Sequence, residues 1–95
     1  MRFRSQLHPM PRISAFYGIV IGMFYRDHPP AHFHARYADY EAKFDIVTLE
    51  VIDGALPTRA MRLVKEWAEL HRVELAADWE LAVNKLPLTP IEPLP

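Results

Sequence analysis

The chain has 95 residues, about half of them apolar, no cysteine and a net charge of −1. This length accommodates one domain, and the absence of cysteine excludes a disulfide framework and a thiolate metal site. A near-neutral charge argues against a protein that coats nucleic acid through a strong overall field. No apolar run approaches the roughly 18 residues of a membrane span and no secretory signal is visible, so we expect a cytoplasmic protein.

The two ends of the chain differ from its middle. Residues 1 to 9 show no periodicity and precede a second methionine, Met10, so we interpret them as a flexible extension. Residues 87 to 95 are rich in proline, which cannot continue a helix or join a central strand. We expect this tail to lie extended on the surface or to fray. A single domain over residues 10 to 86 remains.

The first half of the domain has the composition of strands. Residues 13 to 16 and 19 to 25 are rich in β-branched and aromatic side chains, and Gly18 between them favours a bend. We expect one bent strand or a short pair of strands. Pro29 and Pro30 then take the chain out of the sheet, because a residue that precedes proline is biased to extended conformations. A last strand ends near residue 53.

Residues 32 to 46 alternate between polar and apolar, which is typical of a hairpin. The alternation places His32, His34 and Arg36 on one face, and Phe33, Ala35 and Tyr37 on the other. A turn at Ala38 and Asp39 sets a register that pairs His32 with Asp45, His34 with Lys43, and Arg36 with Glu41. A slip by one residue would put the histidines into the core, so burial of the apolar face fixes this register.

The second half is helical. An apolar stripe at helical spacing runs from residue 58 to residue 85 and includes Trp67 and Trp79. One helix of that length would measure about 40 Å, so we predict two helices with a break near Arg72. The fold class is α+β: a small, mainly antiparallel meander sheet followed by two helices packed on one face. The helices should cover Phe33 and Phe44, leaving the face of His32, His34 and Arg36 accessible.

The candidate site is the segment "DHPPAHFHARY", residues 27 to 37, which holds three of the five histidines. His32 and His34, two positions apart on a strand, point the same way and can bind one ion. We predict His32, His34 and Asp45 as metal ligands, with Asp27 or His28 reaching in from the proline turn. Two histidines and a carboxylate suit zinc or non-haem iron. Lys43, which faces His34 in this register, argues against a metal because its positive charge would repel a second cation.

A metal-free alternative uses the same segment. His28, His32 or His34 could transfer protons while Arg26 and Arg36 bind a phosphate and Tyr25 or Tyr37 stacks a base, as RNA cleavage requires. The candidate catalytic residues are then His28, His32, His34 and Arg36. In a third interpretation the histidines only cap the turn and lie on the solvent-exposed face of a hairpin. The residues alone leave open whether the protein is an enzyme.

Residues 10 to 46, with "LPTRAMRLVKEWAELH" and "ADWELA" further on, resemble a family of small bacterial proteins classed as a domain of unknown function. Its hallmark is His-x-Pro-Pro-His-Phe-His. This chain keeps the histidine spacing, but Ala31 replaces the second proline. Relatives are often encoded beside another small protein, as in a toxin-antitoxin pair.

The resemblance implies a component of such a two-gene module, which binds a protein partner and could also bind RNA. The alternative is a metal-binding module or a metal-dependent hydrolase that uses His32 and His34. An exposed strand edge also favours association between copies of the chain.

Overall fold

β-branched and aromatic residues recur between residues 12 and 55, and this part of the chain folds into five strands. The strands are Arg12–Phe16 (β1), Ile19–Gly22 (β2), His32–Tyr37 (β3), Tyr40–Asp45 (β4) and Val51–Ala55 (β5). The computed structural model describes residues 10 to 95. The predicted N-terminal extension, residues 1 to 9, lies outside the described residues.

Each strand pairs in antiparallel fashion with its neighbour in the sequence, in the order β1-β2-β3-β4-β5. In the β3–β4 hairpin, His32 pairs with Asp45, His34 with Lys43, and Arg36 with Glu41, so the predicted register is confirmed. The hairpin turns at Ala38, whose φ is +53°.

Two helices follow the sheet, Thr58–Leu70 (α1) and Arg72–Val83 (α2). The break falls at His71, next to the predicted position, where the backbone leaves the helical region and the N–H donates to the Ala68 carbonyl oxygen. The predicted α+β fold, a meander sheet followed by two helices, is confirmed. Within residues 10 to 95, neither helix combines the length and the apolar character that crossing a bilayer requires.

The core forms between α1 and the apolar face of the sheet. Phe33 and Phe44 stack across the β3–β4 hairpin with ring centroids 5.2 Å apart, and both are fully buried. The Trp67 ring of α1 contacts Phe33 edge-on at 6.0 Å and Phe16 at 5.4 Å. As predicted, a helix therefore covers the face that carries Phe33 and Phe44.

The C-terminal segment, residues 87 to 95, packs against this core. It has no regular secondary structure, but Ile91 is buried and its N–H donates to the Ile13 carbonyl oxygen at 2.7 Å. The indole N–H of Trp67 donates to the Glu92 carbonyl oxygen at 2.8 Å. The segment therefore connects α1 to the outer strand β1.

The prediction that His32 and His34 lie on an accessible face is wrong. Their relative exposures are 2% and 7%. The His32 ring lies 5.1 Å from the Trp79 ring of α2, and the His34 ring meets the edge of Phe24 at 4.9 Å. Phe24 belongs to the β2–β3 connection, which an N–H···O bond from Arg26 to Ala82 ties to α2. Arg36, further along β3, stays partly exposed.

Candidate metal centre

Three potential metal ligands converge at the start of β3. Asp27 Oδ2 lies 2.9 Å from His32 Nε2 and 3.3 Å from His34 Nε2. Within the part of the chain that the structure describes, these residues form the one group of three candidate ligands, with all their ligand atoms within 4.8 Å of one another.

Strand geometry and the β2–β3 connection bring the group together. His32 and His34 project from the same face of β3 because side chains alternate along a strand. Asp27 comes from the connection, where its Oδ1 accepts the backbone N–H of His28 at 2.9 Å. This bond anchors one carboxylate oxygen and leaves the other, Oδ2, facing the two histidines.

The far side of each imidazole is also occupied. His32 Nδ1 lies 2.7 Å from the Pro30 carbonyl oxygen, and His34 Nδ1 lies 3.1 Å from Glu41 Oε2. A carbonyl oxygen can only accept a hydrogen bond, so His32 carries a proton on Nδ1. A metal ion that replaced the hydrogen bond between Nε2 and Asp27 Oδ2 would find the Nε2 lone pair free, because the ring proton stays on Nδ1. A metal-binding histidine needs this tautomer, held by an acceptor on its second nitrogen.

His34 has a carboxylate oxygen at both ring nitrogens, Glu41 at Nδ1 and Asp27 at Nε2. Burial lowers the pKa of His34, and the bonds to the two carboxylates oppose this only in part. Burial alone would raise the pKa of Asp27, but hydrogen bonds from the His28 N–H and from the two histidines outweigh it and lower the pKa. A neutral His34 ring has one proton for two acceptors, so a cation between Nε2 and Asp27 would stabilise the arrangement.

The distances suit a bound transition metal. Ligands at about 2.0 to 2.1 Å from a tetrahedral zinc ion stand about 3.3 Å apart. The separations of 2.9 and 3.3 Å between Asp27 Oδ2 and the two imidazole nitrogens are near that value. Small side-chain movements would therefore complete a site for an ion.

One side of the group opens to a cavity of about 620 Å³. Asp27 and His34 line this cavity, whereas His32 is buried behind them. An ion held by the three residues would therefore have protein on one side and a water-accessible space on the other.

Comparison with known proteins gives the family. The family model described as "Domain of unknown function (DUF4160)" matches residues 18–80. The chain belongs to this family. No curated protein and no solved structure matches the chain. The DUF4160 segment contains β2 to β5, α1 and most of α2, so Asp27, His32, His34 and Glu41 all lie within it.

In this DUF4160 domain the other predicted site residues lie outside the group of Asp27, His32 and His34. Asp45 pairs with His32 in the register, but its Oδ1 accepts the N–H groups of Val47 and Thr48 at 2.7 and 3.0 Å and so caps the turn after β4. His28 is exposed and lines the cavity. Arg36 lines it too, and its Nε donates to Glu41 Oε1 at 3.1 Å.

Sequence reasoning missed Glu41 as the partner of His34. Glu41 pairs with Arg36 and is the diagonal neighbour of His34 across the hairpin. Diagonal pairs lie within reach of long side chains, so the predicted register already contained this signal.

Proposed function

We propose that this domain binds a divalent transition metal through Asp27, His32 and His34, and that the metal serves hydrolysis. The observation that carries the proposal is the convergence of two Nε2 atoms on one carboxylate oxygen, while each Nδ1 bonds an acceptor on its far side. Two imidazoles and one carboxylate favour zinc or iron(II), whereas calcium and magnesium prefer sites made of oxygen alone.

The cavity supports catalysis over a purely structural role. Structural zinc sites are closed by four protein ligands, whereas catalytic sites use three and leave a position for water. A divalent metal lowers the pKa of bound water to about 7, which provides a nucleophile at neutral pH. The water oxygen would bond to the electrophilic atom of the substrate. The leaving group would depart with the electron pair of the broken bond and gain a proton.

His28 and Arg36 would support this chemistry from different positions. The His28 side chain lines the cavity next to Asp27, so it is our candidate for accepting the proton of the water and passing it to the leaving group. Arg36 bonds Glu41, which in turn bonds His34, so Arg36 would act by orienting these residues.

Metal analysis tests the proposal directly. Protein purified without a histidine tag is titrated with zinc by calorimetry, alongside Asp27→Asn and a His32→Ala/His34→Ala double variant. We expect one zinc per wild-type chain and a loss of that binding in both variants. His71→Ala is the matched control, because His71 also contacts a carboxylate, Glu74 at 2.5 Å, outside the group. Equal zinc uptake by the wild type and the double variant would refute the proposal.

We also propose a second function, that of a cytoplasmic component of a two-gene module that binds a small protein encoded by the neighbouring gene. It rests on the resemblance and on three exposed apolar residues, Val47, Leu70 and Val73, whose exposures are 73%, 66% and 83%. Arg72 Nη1 donates to the Val47 carbonyl oxygen at 2.5 Å, which joins the turn after β4 to the helix break.

Co-expression with the neighbouring gene product tests this second function. A stable complex that is lost in Leu70→Glu/Val73→Glu but kept in Val83→Glu, a control at the far end of α2, would support it. Light scattering separates this result from self-association, which would give a multiple of the mass of one chain. A complex that survives Leu70→Glu/Val73→Glu would exclude Leu70 and Val73 from the interface.

A further inference from the structure

Without a metal ion, positively and negatively charged side chains around the cavity are equal in number. Three cationic side chains line it, Arg26, Arg36 and Lys43, together with three carboxylates, Asp27, Glu41 and Asp53. A divalent ion held by Asp27 and the two histidines would therefore leave the cavity with two positive charges in excess. Such a cavity favours an anionic ligand over a neutral one.

Arg26 and Lys43 are the cations available to that ligand, and of the two Lys43 lies opposite His34 in the β3–β4 register. It pairs with Asp53 in the β4–β5 register, yet within residues 10 to 95 no carboxylate oxygen lies within 4.0 Å of its ammonium group. Asp53 Oδ1 instead accepts the N–H of Gly54 at 3.0 Å. Arg36, by contrast, is held by Glu41. A free ammonium group that lines the same cavity as a metal is suited to a phosphate oxygen.

The cavity also offers an aromatic surface. Tyr25 lines it and is 40% exposed. A core tyrosine would be more deeply buried, so the Tyr25 ring remains available to a ligand. The volume of about 620 Å³ is larger than an inorganic anion needs and falls within the range of about 300 to 1,000 Å³ that organic ligands occupy. An exposed aromatic ring near a phosphate site is an arrangement on which a nucleobase can stack.

We propose that the cavity binds a nucleotide, with the phosphate between the metal and Lys43 and the base against Tyr25. This inference rests on the proposed metal function and names the class of ligand for it. The same chemistry is present in a free nucleotide and in one unit of an RNA strand.

Calorimetry on zinc-loaded protein tests the nucleotide, with adenosine 5′-monophosphate, adenosine and inorganic phosphate as probes. We expect the monophosphate to bind more tightly than either part alone. Lys43→Gln should weaken its binding about tenfold or more, because one charge-assisted bond is lost, and should not lower zinc affinity, because the Lys43 cation opposite His34 opposes the metal. Tyr25→Ala should weaken the monophosphate and leave inorganic phosphate unaffected. Lys65→Gln and Tyr40→Ala, outside the cavity, are the matched controls.

The outcomes separate the two proposals. If the wild type takes up no zinc, the metal function and this inference both fail. If zinc binds but the monophosphate binds no better than phosphate, or Lys43→Gln binds it as well as the wild type, the nucleotide inference alone is overturned. A hexa-adenylate strand that binds more tightly than the monophosphate would assign the site to RNA, and equal affinities would assign it to free nucleotides.

Discussion

Glu41 holds His34 from across the β3–β4 hairpin, with its Oε2 3.1 Å from His34 Nδ1. Its other oxygen, Oε1, accepts a bond from Arg36 at 3.1 Å, which fixes the carboxylate in turn. A carboxylate in this position sets the tautomer and orientation of a metal-binding histidine and makes the ring a stronger ligand. The chain Arg36, Glu41, His34 therefore extends the candidate metal centre along the surface of the sheet.

Removal of this carboxylate should weaken the metal site without unfolding the domain. We expect Glu41→Ala to lower zinc affinity about 10- to 100-fold, the usual effect of losing such a partner, as measured by competition with a chelator. Glu50→Ala is the control, because Glu50 is an exposed carboxylate that pairs with Lys65 at 3.7 Å, away from the site. Unchanged zinc affinity in Glu41→Ala would mean that the contact does not support the metal.

Gly54 permits close packing of β5 against β4. Its φ is +79°, and a Cβ at this position would lie 2.2 Å from the Glu41 carbonyl oxygen. We expect Gly54→Ala to lower the free energy of unfolding by about 1 to 3 kcal/mol, measured by urea denaturation, because strain and a backbone clash combine. Gly18→Ala is a matched comparison, since φ is +81° there but the nearest atom is the movable ring of Tyr37 at 3.3 Å. An equal loss in both variants would contradict the role of the clash.

Asp78 on α2 should make stability depend on pH. Its Oδ1 accepts the Thr89 N–H at 2.8 Å, but within residues 10 to 95 its buried Oδ2 has no partner. Burial raises the pKa of Asp78, the Thr89 bond partly offsets this, and the charge of Glu74 raises it further. A carboxyl group whose pKa is raised in the folded state contributes to the free energy of unfolding. This contribution is fully present below the pKa of the unfolded state and is lost as pH rises through the pKa of the folded state.

We therefore expect Asp78→Asn to raise the thermal midpoint at pH 7 and to lose this advantage as pH falls towards the ordinary range of a carboxyl group. Differential scanning calorimetry over a pH series measures the change. Glu80→Gln, which changes an exposed carboxylate on the same helix, is the matched control. An advantage of Asp78→Asn that is the same at every pH would contradict the prediction.

Ile91 should contribute to stability as a core residue, although it lies in a proline-rich segment. Its side chain is buried in the main hydrophobic cluster. We expect Ile91→Ala to lower the free energy of unfolding by about 2 kcal/mol or more, measured in urea, because a buried cavity remains. Leu86→Ala removes an exposed leucine just before that segment and should have little effect. Similar losses in the two variants would argue against this packing.

The local pattern was enough to predict the sheet and the hairpin register. Alternation over residues 32 to 46 determines which side chains share a face, and the register follows once Phe33 and Phe44 are buried together. The two helices followed from the length of the apolar stripe. These features depend on residues that are near one another in the chain, so a single sequence contains them.

The burial of the histidines depends on distant residues, which is why it was not predicted. Trp79 reaches His32 from α2, and Phe24 covers His34 from the β2–β3 connection. The register correctly pairs Asp45 with His32, but it does not contain the path of the β2–β3 connection. That path brings Asp27 to both imidazoles. Asp45 bonds the N–H groups of its own turn, a local competition typical of aspartate.

The meander order of the sheet has a consequence for the sequence of folding events. Every strand pairs with its chain neighbour, so the sheet closes only short loops and loses little chain entropy in each step. The contact of the Tyr17 hydroxyl with the Pro95 carbonyl oxygen and the bond from the Ile91 N–H to the Ile13 carbonyl oxygen each span 78 positions, the longest separation among the hydrogen bonds within residues 10 to 95. We expect the hairpins to form early and the C-terminal segment to dock last. Native-state hydrogen exchange should then show the Ile91 amide opening more often than the amides shared by β3 and β4.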